Sequence, residues 1–155
     1  MVSSFARPWL ITPNWCVNAR PCYFLPMREA LGRLILRLAV GGLLLLHGIG
    51  KLMHGIAFLY PMLEAKGLPS VIAYGAYVGE VLAPLLVILG ILTRVGGILI
   101  FINMAMAIFL AHMGDLGSLN QGGGWVVELA VLYMLGGLSI FCLGPGKYAV
   151  GGRMA

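Results

Sequence analysis

Charge is what this chain lacks most. Of its 155 residues only 10% are charged, against 61% hydrophobic. A soluble domain carries about 25% charged residues, so a soluble fold of this size could not cover its surface with so few. Lipid is the solvent that tolerates such a surface. Acidic side chains are scarcest, five against ten basic ones, for a formal net charge of +5. In a soluble protein that excess would raise the question of nucleic acid. Here the basic residues flank apolar runs, where they would meet lipid headgroups, and no basic stripe interleaved with aromatics occurs. No nucleic-acid partner is expected. Cysteine is also sparse: Cys16, Cys22 and Cys142 form no CxxC pair. Cys142 sits in an apolar segment as a packing residue, and Cys16 and Cys22 could pair only in an oxidising compartment. No tight ligand spacing such as HExxH is present, so no metal site is expected.

What the chain has is long apolar runs. A spanning helix needs about 20 apolar residues, so four spans and short loops nearly exhaust the length. The spans are expected at 34–52, 70–92, 95–113 and 125–143. Pro69 suits a helix start, Thr93 and Arg94 form a tight turn, residues 114–124 make a Gly-rich loop, and Gly144, Pro145 and Gly146 stop the last helix. Between the first two spans, residues 53–68 are too polar to cross and apolar enough to lie in the interface. The expected fold is all-α: a polytopic membrane protein forming a compact four-transmembrane-helix bundle. Residues 28–148 are its membrane domain and 149–155 a short cytoplasmic tail. Residues 1–27 differ. Pro8, Pro13, Pro21 and Pro26 break them up, and they hold no uninterrupted apolar core. A flexible basic tail is expected there, neither signal peptide nor span, with Met27 an alternative natural start.

Arg7, Arg20, Arg28, Arg33, Arg37, Arg94, Lys147 and Arg153 share one side of a four-span topology, against Lys51 and Lys66 on the other. Eight against two places both termini in the cytoplasm. Small residues recur within the spans, with Gly75, Gly79 and Ala83 every four residues on the second, as close helix packing in lipid requires.

Ionisable groups inside a bilayer persist when paired, hydrated or used. His47, Lys51 and His54 fall at i, i+4 and i+7 on one helix face. Glu80 lies about ten residues into the second span, roughly 15 Å deep. Asn103 is near the middle of the third span, His112 at its outer end, and Trp125 and Glu128 open the fourth. With the termini inside, all of these fall in the outer half of the bundle. Pro84 cannot donate to the carbonyl of Glu80 four residues earlier, so side chain and backbone of Glu80 both need partners. Lys51 is the natural cationic one, with His47 and His112 as others. Each residue also has a structural reading: Glu80 as an ion-pair strut, His47 and Lys51 as interfacial side chains, Trp125 and Tyr133 as ordinary aromatics, Asn103 as an interhelical hydrogen bond, Arg94 as a topology anchor.

In the order LGRLILRLAVGGLLLLHGIGKL at 31–52, GAYVGEVLAPLLVILGILTRVGG at 75–97, MAMAIFLAHMG at 104–114 and GGWVVELAVLYMLGGLSI at 123–140, the chain resembles the DoxX family. The specific elements are the HGxxK of His47, Gly48 and Lys51, the Gly–Glu before Pro84, the Thr–Arg turn at Arg94, and the Gly–Trp followed by Glu128. The resemblance implies a four-helix protein of the bacterial inner membrane. Some members belong to redox systems, including thiosulfate–quinone oxidoreduction and an oxidative-stress complex.

Two functional classes compete. One is a membrane subunit of a quinone-linked redox system, with His47, Lys51, Glu80, Asn103, His112, Trp125 and Glu128 as ligand or proton-site candidates and a quinone as the cofactor class. Haem held by His47 and His112 is the less favoured reading. The other is a non-enzymatic transporter of small molecules or lipids, or a membrane anchor for a soluble partner enzyme. Partners expected beyond the lipid bilayer are a soluble redox enzyme or a second membrane subunit, with a homo-oligomer left open.

Overall fold

The computed structural model describes residues 24–151. The expected tail therefore lies outside the described residues except where α1 begins, and so do Cys16 and Cys22. Five helices follow in order: α1 (Phe24–His54), α2 (Leu59–Ala65), α3 (Ser70–Leu89), α4 (Thr93–Ala111) and α5 (Glu128–Leu143). The only β pairing among the described residues is an isolated bridge between Leu119 and Trp125. Met27–His54, α3 and α4 are each long and apolar enough to cross a membrane. At 16 residues, α5 is about 24 Å long at 1.5 Å per residue and falls short of a full hydrocarbon core.

Four features differ from the expected boundaries, and three of them have local causes. The first helix is longer at both ends than 34–52. The fourth begins at Glu128 and not at Trp125, because residues 118–126 are held in an irregular hairpin. There Val126 N–H donates to Ser118 O, Asn120 N–H donates to Gly124 O, and the Asn120 side-chain oxygen accepts from the N–H groups of Gly122 and Gly124. The tight turn falls at Gly90–Leu92 and not at Thr93 and Arg94, which already belong to α4. Gly90 has φ +77 and Leu92 φ +51, and the Gly90 and Ile91 N–H groups both return to Leu86 O, a left-handed helix stop. Finally, α3 is not one continuous α-helix. It opens as a 3-10 turn (Ser70–Tyr74) and widens to a π turn at Val78–Leu82 before resuming at Ala83. Pro84 withholds the hydrogen bond that an α-helix would ask of it, and the π turn re-registers the backbone just ahead of it.

Leu44, Ala83, Val87, Ile100, Met104, Tyr133 and Ile140 form the core, drawing on α1, α3, α4 and α5. A second cluster, Ile56, Leu63 and Ala73, seats α2 on the bundle. The outside stays apolar: Ile35, Leu46, Leu82, Ile102, Leu132 and Leu135 are all at least half exposed. Such a surface belongs in lipid, and the chain is an integral membrane protein. Helices approach most closely at glycine. A Cβ on Gly97 would stand 2.7 Å from Gly137 O, and one on Gly137 2.8 Å from Gly97 O, so α4 and α5 cross backbone to backbone.

Among the described residues the most buried charge is Arg37, 1% exposed. Its Nε donates to Val87 O at 2.8 Å and its Nη2 to Ile88 O at 2.9 Å, at the carboxyl end of α3. Its Nη1 donates to Pro145 O and Tyr148 O beyond α5. The guanidinium thus takes up the unsatisfied last carbonyls of one helix and the chain following another. Gly90 sits so close that a Cβ there would meet Arg37 Nη2 at 2.4 Å.

Candidate functional site

Near the opposite end of the bundle, α1, α3 and α4 converge on Glu80. Its carboxylate is buried (residue 4% exposed). Lys51 Nζ lies 2.5 Å from Glu80 Oε1, and Asn103 Nδ2 donates to the same oxygen at 3.2 Å. The other oxygen, Oε2, is buried and has no hydrogen-bond partner among the described residues. Two glycines allow this convergence. A Cβ on Gly79 would stand 2.3 Å from the Asn103 side chain, and one on Gly48 only 2.1 Å from the Glu80 carbonyl oxygen. Gly48 therefore brings α1 against the π turn. Lys51 also lies 6.0 Å from the Phe58 ring centroid.

Two cavities meet at this ion pair. The first, of about 310 Å³, lies among α2, α3 and α4. Lys51, Glu80 and Asn103 form its polar end, and Leu63, Ala76, Leu99 and Met106 are among its apolar walls. Its lining includes Val78 and Ile102, 40% and 55% exposed on the outer surface, so it opens toward lipid between α3 and α4. The second, of about 280 Å³, lies among α1, α4 and α5 and is lined by His47, Lys51, Glu80, His112 and Tyr133 with Leu44, Met104 and Ala130. The His112 Nδ1 atom is buried without a partner among the described residues. His47 stacks edge-on to Tyr133 with ring centroids 5.8 Å apart. Its Nδ1 lies 3.0 Å from Leu43 O, so this nitrogen carries the proton and Nε2 is the acceptor of the neutral ring. Within α2 the Tyr60 hydroxyl is held above its ordinary pKa, first by a hydrogen bond with Tyr74 and then by desolvation. It lines neither cavity.

Of the seven residues singled out from the sequence, Lys51, Glu80 and Asn103 are in direct contact. His47 and His112 share the second cavity with two of them. Trp125 and Glu128 line neither cavity: Trp125 Nε1 donates to Leu116 O at 2.8 Å and ties the loop together, and Glu128 is exposed beside Gly124. The contribution of α5 is instead Tyr133, which sequence alone gives as an ordinary aromatic. Gly48 and Gly79 do positional work that periodicity cannot assign. Their only signal is adjacency, one beside His47 in the HGxxK and the other beside Glu80.

The DoxX family model matches residues 32–113, a stretch that contains Lys51, Glu80, Asn103 and His112. Among curated proteins, an uncharacterized membrane protein of Mycobacterium tuberculosis strain H37Rv is 35% identical over 130 residues, covering 77% of this chain and 79% of its own. An uncharacterized protein of Haemophilus influenzae strain KW20 is 31% identical over 119 residues, covering 74% and 84%. No solved structure matches the chain significantly. With half of the chain under the family model, and the ion pair and its neighbours inside that half, this protein belongs to the DoxX family.

Proposed function

We propose that this protein binds a small apolar molecule with a hydrogen-bonding head, a quinone by preference, in the cavity between α2, α3 and α4, and serves there as a membrane subunit of a quinone-linked redox system. One observation carries the reading. A buried carboxylate with an unpartnered oxygen, flanked by an ammonium and an amide, closes one end of an otherwise apolar cavity of about 310 Å³ that opens toward lipid. Ligand sites are typically about 300–1,000 Å³, mostly apolar, with a few convergent polar groups. Lys51 and Asn103 supply donors for a quinone oxygen, and the Glu80 carboxyl is placed to pass protons to it as it is reduced. The electrons would come from a partner, either a soluble redox enzyme or a second membrane subunit.

The test is equilibrium binding of a short-chain ubiquinone analogue to purified protein in mild detergent. Saturable binding is expected, weakened about tenfold by Asn103→Leu, the loss of about 1.4 kcal/mol for a hydrogen bond made in an apolar site. If the wild type does not bind, and no quinone co-purifies with it, the reading fails.

A transporter is favoured by a different observation: cavities on both sides of one ion pair resemble two access routes to a central site. Flux of the analogue into proteoliposomes would decide for it. We also place the chain in the bacterial inner membrane with both termini cytoplasmic. In support, Arg33 Nη1 donates to Leu143 O, Arg37 to Pro145 O, and Arg94 lies beside Gly144, so these basic residues gather at one end, as the positive-inside rule asks of a cytoplasmic face.

A further inference from the structure

The second cavity is not needed to hold the ligand, yet five titratable side chains line it. Its lining brings Glu80 from α3 together with His112 just past α4, Tyr133 from α5, and His47 and Lys51 from α1. No residue of α2 lines this cavity; Leu59 and Leu63 of that helix line the first. Two buried polar atoms, Glu80 Oε2 and His112 Nδ1, are left without protein partners. Glu80 is nine-tenths buried and more. Lys51 and Asn103 both engage its Oε1, so Oε2 is the oxygen left for another group, and Glu80 lines this cavity as well as the first. A buried acceptor is rarely orphaned. A space of about 280 Å³ with this lining satisfies both conditions for holding water, since each molecule occupies only about 30 Å³ and needs two to four polar partners.

We propose that the cavity between α1, α4 and α5 is a hydrated proton-access chamber, in which water joins Glu80 Oε2 to the His112 ring and through it to the aqueous phase at that end of the bundle. The inference rests on the proposed function only in giving the proton a destination: a ligand oxygen in the first cavity, across the Lys51–Glu80 pair. The balance is simple. For each electron that the redox partner delivers to the ligand, His112 or water gives one proton to the Glu80 carboxylate, Glu80 passes one to the reduced ligand oxygen, and a hydronium ion from the aqueous phase reprotonates the donor. Only O–H and N–H bonds form and break. The two cavities then divide the work, one admitting the ligand from lipid and the other admitting protons from water.

The experiment is water-edited solid-state NMR of full-length protein labelled with nitrogen-15 histidine, in lipid bilayers without added quinone. The chain has three histidines, His47, His54 and His112, so each signal is assignable by single substitution. Rapid polarisation transfer from water to the His112 ring is expected. It should slow at least threefold in Ala130→Leu, which fills the chamber, and stay unchanged in Ile102→Phe, which narrows the first cavity. Val126→Phe, on another wall of the chamber, replaces Ala130→Leu if that variant does not fold. A dry His112 ring in the wild type, or transfer indifferent to both chamber-filling variants, overturns the proposal. Quinone binding measured on the same samples separates the two readings. Binding with a dry chamber removes the chamber and keeps the ligand site, whereas a wet chamber without binding does the reverse.

Discussion

At the scale of single residues, the site rests on the unequal burial of one ion pair. The Glu80 side chain is 5% exposed and that of Lys51 24%. Stranding a buried charge is costlier than losing its attraction, about 3–5 kcal/mol for a fully buried partner. Lys51→Met should therefore destabilise the protein more than Glu80→Gln. The double variant should lose less than the sum of the two, because the members of a pair couple by about 0.5–3 kcal/mol. Thermal unfolding in detergent reads all three. Glycines separate just as cleanly. Gly48→Ala forces a Cβ onto the Glu80 carbonyl and should cost about 1–3 kcal/mol. Gly42, with nothing within 4 Å of its Cβ position, should accept alanine with a neutral or slightly stabilising effect, since alanine is the better helix former by about 0.5–1 kcal/mol. That Lys51 would pair with Glu80 could be read from chemistry alone, because Glu80 needs a cation at that depth. That Gly48 must be glycine could not, because the reason lies on another helix.

At the scale of elements, α3 is built around an interruption. Pro84 and the π turn at Val78–Leu82 set the register in which Glu80 faces inward. The missing donor at Pro84 was legible, but the widened turn that answers it was not, because a π turn carries no periodic signature over five residues. At the far end of the same helix, Arg37 ties α3 to the segment after α5 through four carbonyls. Arg37→Met should free residues 145–150 and leave the last carbonyls of α3 unsatisfied, at about 1–3 kcal/mol for each buried group that finds no water. Hydrogen–deuterium exchange should show faster exchange of the Val150 amide, which now donates to Leu89 O. In the loop before α5, Trp125→Phe should loosen residues 114–124 while changing ligand affinity less than about twofold, since Trp125 lines neither cavity and surface changes away from a site usually stay within about 0.5 kcal/mol. A loss comparable to that of Asn103→Leu would return Trp125 to the site.

At the scale of the whole molecule, two ends of different chemistry face each other across an apolar belt. One gathers Arg33, Arg37, Arg94 and Lys147. The other holds the ion pair, three histidines and the Gly-rich loop. Single cysteines at Lys147 and Gly117, in a background with the three native cysteines replaced by serine, should react with a membrane-impermeant thiol reagent from opposite sides of sealed vesicles. Labelling of both from one side would refute the four-span topology. That topology also bears on α5, which at 16 residues needs local bilayer thinning or the adjoining hairpin to complete its crossing.

The sequence by itself determined the solvent and the class of fold. Scarce charge and four apolar runs leave lipid as the only surroundings in which such a surface is stable, and apolar content is a sum over residues that needs no geometry. It also marked Glu80 as a carboxylate whose depth demands a partner, because burial of a charge in lipid is penalised wherever the helix lies, but it gave no sign that Arg37 is the most buried charge among the described residues. Only the tertiary structure decided which of them meet. Lys51, Glu80 and Asn103 come together, and Tyr133 joins the histidines, while Trp125 and Glu128 stand apart. The physical reason is that contact across helices depends on rotation and separation. Those are set by glycines at the crossings, by a π turn, and by an arginine that caps a helix fifty residues away.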